Sequence, residues 1–447
     1  MIKANKDTII TTQILRDLCV KNDGEVLPRL RKLESYYKGK NDILKRVMKD
    51  PTKPNNKIVS PFANYITDMF VGYFIGEPIA YNSHDEQALE ELQMTFNYND
   101  EQDENAELAK DASVYGVAYE LMYVDEDGIN RFKRVNPKEV IIIESDSLDE
   151  EILYGIRYYQ GQELGSDQLY TTIEVYSKND VKIYKSNENY DNLILVDEYP
   201  HYFGLVPFAI YKNNDDLIGD FELVISLIDA YDKLASDSLN DFEYFCDAYL
   251  ALYGMDADAE DIKSMKENRV ILMDEGTSAE WLTKDVNDTQ MENLKKRLED
   301  DIHKFSKCPA MTDENFSSNA SGVAMKYKVM GMENVASVKE RKFKKGLQRR
   351  IELLSNILNL TYGSFDWRAI EITFTRNLPV NVMEVANMIN NLRGIVSNET
   401  LLLQLPFVED VAAELERIEE ENSYDTLSLA FDSGSEVNSD GEEELLG

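Results

Sequence analysis

The sequence predicts an α+β protein, mainly helical, with one β-rich block set among helices. Three observations carry that prediction. Apolar residues recur at helical spacing before about Lys49 and again after Gly219. Between Tyr115 and Tyr211 they alternate with polar ones in short β-branched and aromatic runs. One unusually long helical pattern then runs from about Gly322 to Leu360.

Composition bounds the answer. The 447 residues suffice for one large domain or two to three ordinary ones, and 43% hydrophobic with 10% aromatic content suits a packed core. The formal charge of −37 therefore belongs to a folded chain, not to wholesale disorder. Affinity for nucleic acid comes mostly from cations that displace phosphate counterions, so this balance alone argues against DNA binding. Cys19, Cys246 and Cys308 are far apart and follow no signal peptide, which predicts reduced thiols in a cytosolic protein. The most apolar stretch, Ile58 to Tyr81, is interrupted by Pro61, Asn64, Asp68, Glu77 and Pro78. It lacks the ~18-residue run of a membrane span, so a buried helix from Pro61 to about Phe74 and a soluble chain are expected.

The elements follow in order. Leu15, Leu18, Leu27, Leu30, Leu33, Tyr36 and Tyr37 mark a first helical region, with Gly39 as its stop. After the linker KDPTKPNNK and the apolar helix comes one acid-rich helix. It carries Glu86, Glu90, Glu91, Asp100, Glu101, Asp103, Glu104 and Glu107, as a solvated face would. YELMYVDEDGINRFKRV reads as a hairpin turning at Asp127-Gly128. With IRYYQ, TTIEVYS, VKIYKS and NLILVDEYP it suggests one antiparallel sheet, closed by PHYFGLVPFAIY. From Gly219 an amphipathic helix presents Leu223, Leu227, Tyr231, Leu234, Phe242 and Phe245 on one face. Glu222, Asp229, Ser236, Asn240, Glu243 and Asp247 fall mainly on the other. A compact insert with a strand-like RVILM separates it from a second such helix, marked by Met291, Leu294, Leu298, Ile302 and Phe305. Glu292–Lys296 and Asp300–Lys304 have the favourable i,i+4 order there.

The long helix carries Phe343, Leu347, Ile351, Leu354 and Leu358 on its apolar side, with Gly331 and Gly346 as candidate kinks. It also holds the main basic sector: Lys326, Lys328, Lys339, Arg341, Lys342, Lys344, Lys345, Arg349 and Arg350. A strand, IEITFTR, and helical segments from Val382 to about Asn422 precede an acidic tail expected to be disordered.

Candidate chemistry is sparse. DENFSSNASGVAMKYK, from Asp313 to Lys328, suggests a phosphate cradle at a helix N-terminus. It has one glycine where a P-loop needs two and no Lys-Ser/Thr pair, so Asn319 or Ser321 is expected simply to cap the helix. A calcium loop starting at Asp125 would need Glu at its twelfth position, where Asn136 stands. His84, His201 and His303 have no ligand-spaced neighbours, and no nucleophile elbow, zincin motif or cysteine pair occurs. No enzyme, cofactor or metal is expected.

The order of parts resembles the portal proteins of tailed bacteriophages, of the siphovirus type. The matching stretches are KLESYYKGKNDILKR, NNKIVSPFANYITDMFVGYFIGEPIAY, ASVYGVAYELMYVDEDG, GDFELVISLIDAYDKLASDSLNDFEYFCDAYL and DENFSSNASGVAMKYK. None is chemically diagnostic alone; their joint order carries the likeness.

The resemblance implies a wing, stem, clip and crown architecture. Residues 1–218 would be the wing, 219–247 the first stem helix, 248–287 the clip and 288–306 the second stem helix. Residues 307–321 would be a tunnel loop, 322–379 the long wing helix and strand, 380–422 the crown and 423–447 the tail. It implies a homo-oligomeric, dodecameric ring at one capsid vertex, assembled in the host bacterial cytoplasm. Double-stranded DNA would pass through without sequence specificity during packaging and ejection. Partners would be the terminase large subunit, a head-completion or adaptor protein, and the major capsid and scaffolding proteins, with no membrane. Thr312, Asp313, Glu314, Asn315, Phe316, Ser317, Ser318 and Asn319 would encircle DNA, and Asp229, Glu243 and Asp247 would line the channel. Asp256, Asp258, Lys263 and Trp281 would form the clip's partner surface. Lys326, Lys328, Lys339, Lys342 and Lys345 are expected to neutralise acidic neighbours in the ring. The alternative is a capsid scaffold or adaptor that oligomerises through these helices without carrying DNA.

Overall fold

The computed structural model describes residues 1–51, 53–162, 165, 169–186, 190–246, 249–253, 258, 260–263, 278–282, 288–311, 322–363, 365–377, 382–405, 408, 411 and 414–418. It is mixed helix and sheet. The chain divides into two compact units, Met1–Asn315 with Lys328–Asn377, and Phe316–Tyr327 with Leu378–Gly447.

The first unit opens on a strand where a helical region was expected. Ile2–Ala4 (β1) pairs in parallel with Val140–Ser145 (β5). Helices Thr12–Lys21 (α1) and Leu27–Tyr37 (α2) follow, joined by a π-helical turn at Asn22–Val26. Thr11 caps α1 by accepting from the Ile14 amide, and Gly39, at φ +66°, ends the run. The apolar helix spans Phe62–Ile75 (α3) and buries Ile66, Phe70 and Phe74.

The single sheet expected after Tyr115 is two. Val117–Val124 (β3) and Asn130–Val135 (β4) form the hairpin, and Phe208–Lys212 (β10) pairs with the other edge of β3. Asp125 shapes the turn by accepting from the Asp127 and Ile129 amides. Ile152–Gln162 (β6), Leu169–Tyr176 (β7), Asp180–Ser186 (β8) and Ile194–Pro200 (β9) extend β5 into a six-stranded sheet ordered β1-β5-β6-β7-β8-β9.

The split follows from β5 itself. VIIIES is buried along its whole length, so both faces need cover. Val140 and Ile142 meet the smaller sheet at Val117, Tyr119, Leu121 and Phe208, while Ile141 and Ile143 meet Leu15 and Cys19 of α1. Gly155 permits the first contact, because a Cβ there would lie 2.4 Å from the Phe208 ring.

The acid-rich region is two helices, Glu86–Tyr98 (α4) and Glu101–Tyr115 (α5), broken at Asp100 with φ +51°. Its key acids are not solvated. Glu101, Glu104 and Asp111 are buried and meet Arg350, Lys133 and Arg134. Burial pushes the Asp111 carboxyl up to about 6, although Arg134 at 2.8 Å pulls it back.

Helices Ile225–Cys246 (α6) and Asp288–Ser306 (α7) pack together, with the antiparallel strands Tyr249–Tyr253 (β11) and Ser278–Leu282 (β12) between them in sequence. RVILM lies outside the described residues. On α7 Glu292 pairs with Lys295, three residues on, instead of Lys296. Asp300–Lys304 forms no ion pair; Lys304 sits over the Phe305 ring at 5.7 Å.

Gly322–Tyr362 (α8) is one uninterrupted helix of 41 residues. Gly346 is not a kink but a contact: a Cβ there would fall 2.4 Å from the Tyr211 ring. Phe343, Leu347, Ile351 and Leu354 join Phe74, Phe96, Ala118 and Phe132 in the main core. Ala80–Asn82 (β2) and Glu371–Thr373 (β13) pair beside it.

Arg350 lies at the centre of this core with no exposed surface. Its guanidinium meets Glu120 on β3 through two bonds of 2.9 and 2.7 Å and Glu101 on α5 at 3.1 Å. Tyr211 donates to Glu120 at 2.7 Å, Tyr81 and Asn105 donate to Glu101, and the Phe132 ring lies 4.5 Å from the guanidinium. In the second unit, Val382–Leu392 (α9) and Asn398–Leu402 (α10) are joined by a turn through Gly394, and Ser397 caps α10.

Removing one member of a buried charge set strands the others. Arg350→Met should therefore cost about 3–5 kcal/mol in urea unfolding, and adding Glu120→Gln should recover a substantial part of it. Equal destabilisation by the single and double variants would contradict the network's role. For Asp111, the unfolded chain loses its proton near the ordinary 3.8 while the folded chain holds it to about 6, so stability falls as pH rises between them. Relative to the parent, Asp111→Asn should gain on the order of 2 kcal/mol in stability between pH 4 and pH 6. A difference that stays flat across that window would refute the assignment.

Candidate functional site

The site is built around α6. Its apolar side meets α3, where the Tyr231 and Phe62 rings touch edge-on at 5.1 Å. Its polar side was expected to lie opposite the apolar stripe, with Asp229, Glu243 and Asp247 partly along a channel. Asp232, Ser236 and Asn240, one per turn, are buried against residues 55–60, the NNKIVS stretch. The amides of Asn56, Ile58 and Ser60 donate to Asn240 Oδ1, Ser236 Oγ and Asp232 Oδ1 at 2.7, 2.9 and 2.7 Å.

The match is geometric. Two residues of extended chain advance about 6.6 Å and four residues of helix about 6.0 Å, so alternate amides meet every fourth side chain. Ile228 and Tyr244 stand one turn beyond either end of the ladder, so a slip of one turn would strand an amide. Further bonds tighten the zipper. Asn41 donates to Asp232 at 2.6 Å, Arg46 reaches Asp237 at 2.6 Å, and Asn56 donates to Glu243 at 2.7 Å. Burial pushes the Asp232 carboxyl up, and the Asn41 and Ser60 donors hold it part way down.

The root of α6 is gripped twice. Glu222 takes both Arg29 nitrogens at 2.7 and 2.6 Å, and Asp220 takes Lys339 from α8 with Ser113 and Asn213. The chain crosses α5 so closely that a Cβ on Gly116, at φ +86°, would collide with the Leu217 carbonyl. Past the end of α7, the Tyr65 hydroxyl donates to the Pro309 carbonyl and accepts from the Met311 amide, both at 3.0 Å. The His303 ring packs on Tyr65, and its Nδ1 lies 3.0 Å from the Cys308 carbonyl. Cys308 is buried, and burial pushes its thiol up to about 12, which leaves it inert.

The expected site residues separate accordingly. Thr312 to Asn319, Ser321, Asp247 and Asp256 lie outside the described residues. Asp229 is half-buried and bound by Tyr36, whereas Glu243 is exposed. Asp258 accepts from the Glu260 and Asp261 amides, Lys263 is exposed, and Trp281 sits opposite Leu250 in the β11–β12 pair. In the basic sector, Lys339 and Lys342 neutralise Asp220 and Asp215 of their own chain, while Lys326, Lys328 and Lys345 are exposed. The Asp232, Ser236, Asn240 ladder was only half visible in sequence: its i,i+4 spacing is there, but its partner lies some 180 residues earlier.

The two stretches that the zipper joins are both among those that carried the resemblance. The sequence matches the family described as "Phage portal protein, SPP1 Gp6-like" over residues 17–426. The chain belongs to the phage portal protein family. The portal protein of Bacillus phage SPP1 is 26% identical over 445 residues, covering 93% of this chain and 87% of the relative. That of Clostridium phage phiCD119 is 26% identical over 414 residues, covering 85% and 89%. Portal proteins are structural, not enzymatic. No described helix is long and apolar enough to cross a membrane.

The zipper should be the local determinant of α6 position in this portal protein. Ser236→Ala leaves the half-buried Ile58 amide without its acceptor and should cost about 1 kcal/mol. Amide exchange at Asn56, Ile58 and Ser60 should rise together. Faster exchange at Ile58 alone would show three independent bonds instead of a cooperative ladder.

Proposed function

We propose that this portal protein assembles as a ring at one capsid vertex and is the conduit for the phage genome during packaging and ejection. The observation that carries the ring is the uncovered apolar surface of the helix pair. Phe242 of α6 is 66% exposed, and Leu294 and Phe305 of α7 are 47% and 54% exposed. Apolar side chains gathered on one helix pair call for a partner surface, and a repeated copy of the same pair supplies it.

In this reading 1–218 is the wing, α6 and α7 are the stem, 248–287 is the clip and 380–422 the crown. The clip would take the terminase large subunit and later the head-completion protein, and ATP hydrolysis belongs to the terminase. A conduit must not hold what it passes. The exposed acids of α6, Asp241 and Glu243, suit a repelling wall, and screening confines that repulsion to about 8–10 Å, the clearance of a narrow channel. Asp229, bound by Tyr36, serves the wing contact instead.

Mass measurement and negative-stain imaging of the purified full chain should give a closed particle with an axial channel. A closed assembly without a channel would favour a scaffold or adaptor. Deleting Thr312–Asn319 should leave particle mass unchanged and lower packaged or retained DNA. Loss of the ring itself would make that loop structural.

A further inference from the structure

The outer face of α8 has no partner among the described residues of the protomer. Met330 is 54% exposed, and Arg341 and Lys345 are exposed cations that form no ion pair among the described residues. At about 100° per residue, Arg341 lies about 180° and Lys345 about 140° round the helix from the inward Arg350. Neither can therefore reach the acids that Arg350 serves. Neighbouring charge adds to theirs. Lys342, then Lys212 and Lys345, hold the exposed Asp215 carboxyl below its ordinary range. Such a patch is unusual on a chain of net charge −37.

The protomer also carries an unanswered acidic surface. An open hollow of about 680 Å³ lies between β2, α4 and α5. Its floor includes Ile79, Tyr81 and Phe96, and its rim includes Asp100 and Asp103. Both aspartates are exposed, and neither has an ion pair among the described residues. Glu101, at the inner end, is already matched by Arg350. Lys345 acts on Asp215 and Glu150 only at a distance, so one protomer presents cations and acids on different elements that have no ion pair among the described residues. A head-to-tail contact satisfies both at once, and head-to-tail contacts are those that close into rings.

We propose that the outer face of α8, through Arg341 and Lys345, docks on the Asp100–Asp103 rim of a second copy of this chain. This rests on the ring reading and specifies one of its lateral contacts. In a strongly acidic assembly the contact sets spacing and register, because like-charged alternatives are repelled.

The test is reciprocal charge reversal in the full chain, read by mass photometry across protein concentration at low salt. Arg341→Glu with Lys345→Glu, and separately Asp100→Lys with Asp103→Lys, should each raise the half-assembly concentration by about fivefold or more, as two exposed ion pairs allow. The four changes combined should restore assembly. Circular dichroism and melting temperature of each variant check that the fold is kept. A parent chain that forms rings while both reversals assemble normally overturns the contact alone. A defect not restored in the combined variant also overturns it. Normal assembly with loss of DNA retention assigns the α8 face to DNA and overturns docking. A parent chain that forms no closed particle overturns the ring reading, and this contact with it.

Discussion

A guanidinium with no access to water has to be answered by charge, and Arg350 organises the larger unit around that requirement. Two carboxylates, from β3 and from the first turn of α5, meet it, and Tyr211, Tyr81 and Asn105 donate to the same carboxylates. Desolvation opposes all three charges, so the set is tolerable only when complete. Much else follows from it. A rotation of α8 by one residue would turn the guanidinium out of reach of both acids, so the network fixes the helix about its own axis. That orientation sends Phe343, Leu347 and Ile351 into the core and brings Gly346 under the Tyr211 ring. The same orientation leaves Arg341 and Lys345 outside.

From α8 the constraint passes to α6 through Lys339 and Asp220. That pair is nearly as buried as the first, with Ser113 and Asn213 completing the carboxylate. Beyond it the zipper takes over, holding three successive turns of α6 to an extended segment. The long helix, the start of α6 and residues 55–60 are therefore linked through one continuous run of hydrogen-bonded groups. In the proposed ring, a displacement of α8 would be felt at the root of the stem. The chain after α7 is anchored separately, by Tyr65 of α3. Its two bonds to the backbone at Pro309 and Met311 give the following segment a fixed origin.

Much of this fold was legible because periodicity reports burial directly. The α3 span, the Asp127-Gly128 hairpin, the α6 and α7 spans and the length of α8 follow from apolar spacing and turn residues alone. What was not legible has one physical cause: charge and polarity do not announce their partners. Glu101 and Glu104 read as a solvated face because the cations that bury them lie on α8 and β4. Ser236 and Asn240 read simply as polar positions opposite the apolar stripe for the same reason. Gly346 suggested a kink because sequence shows the missing side chain but not the tyrosine occupying its place. The second sheet was hidden because alternation identifies strands without saying which pair. The candidate channel and partner residues rest on family resemblance alone, since passing DNA without binding it would require no motif.

The placement of cations finally explains how so acidic a chain folds. There are 47 lysines and arginines against 84 acids, too few to neutralise the surface. The best buried among them, Arg350 and Lys339, serve acids that packing has already removed from water. Arg134 and Arg376 do similar work at partly buried positions, against Asp111 and against Glu333 and Glu340. Exposed acids are left to the solvent, where repulsion is screened and cheap to tolerate. The consequence for assembly is strong. In the proposed ring, copies of such a chain would repel one another at long range, so cohesion would come from short-range apolar contact on α6 and α7. Direction would come from exposed cations, such as Arg341 and Lys345, that have no ion pair among the described residues of their own protomer. The proposed conduit would be served by the surplus of 84 acids over 47 cations, which leaves a passing acidic polymer little to hold it.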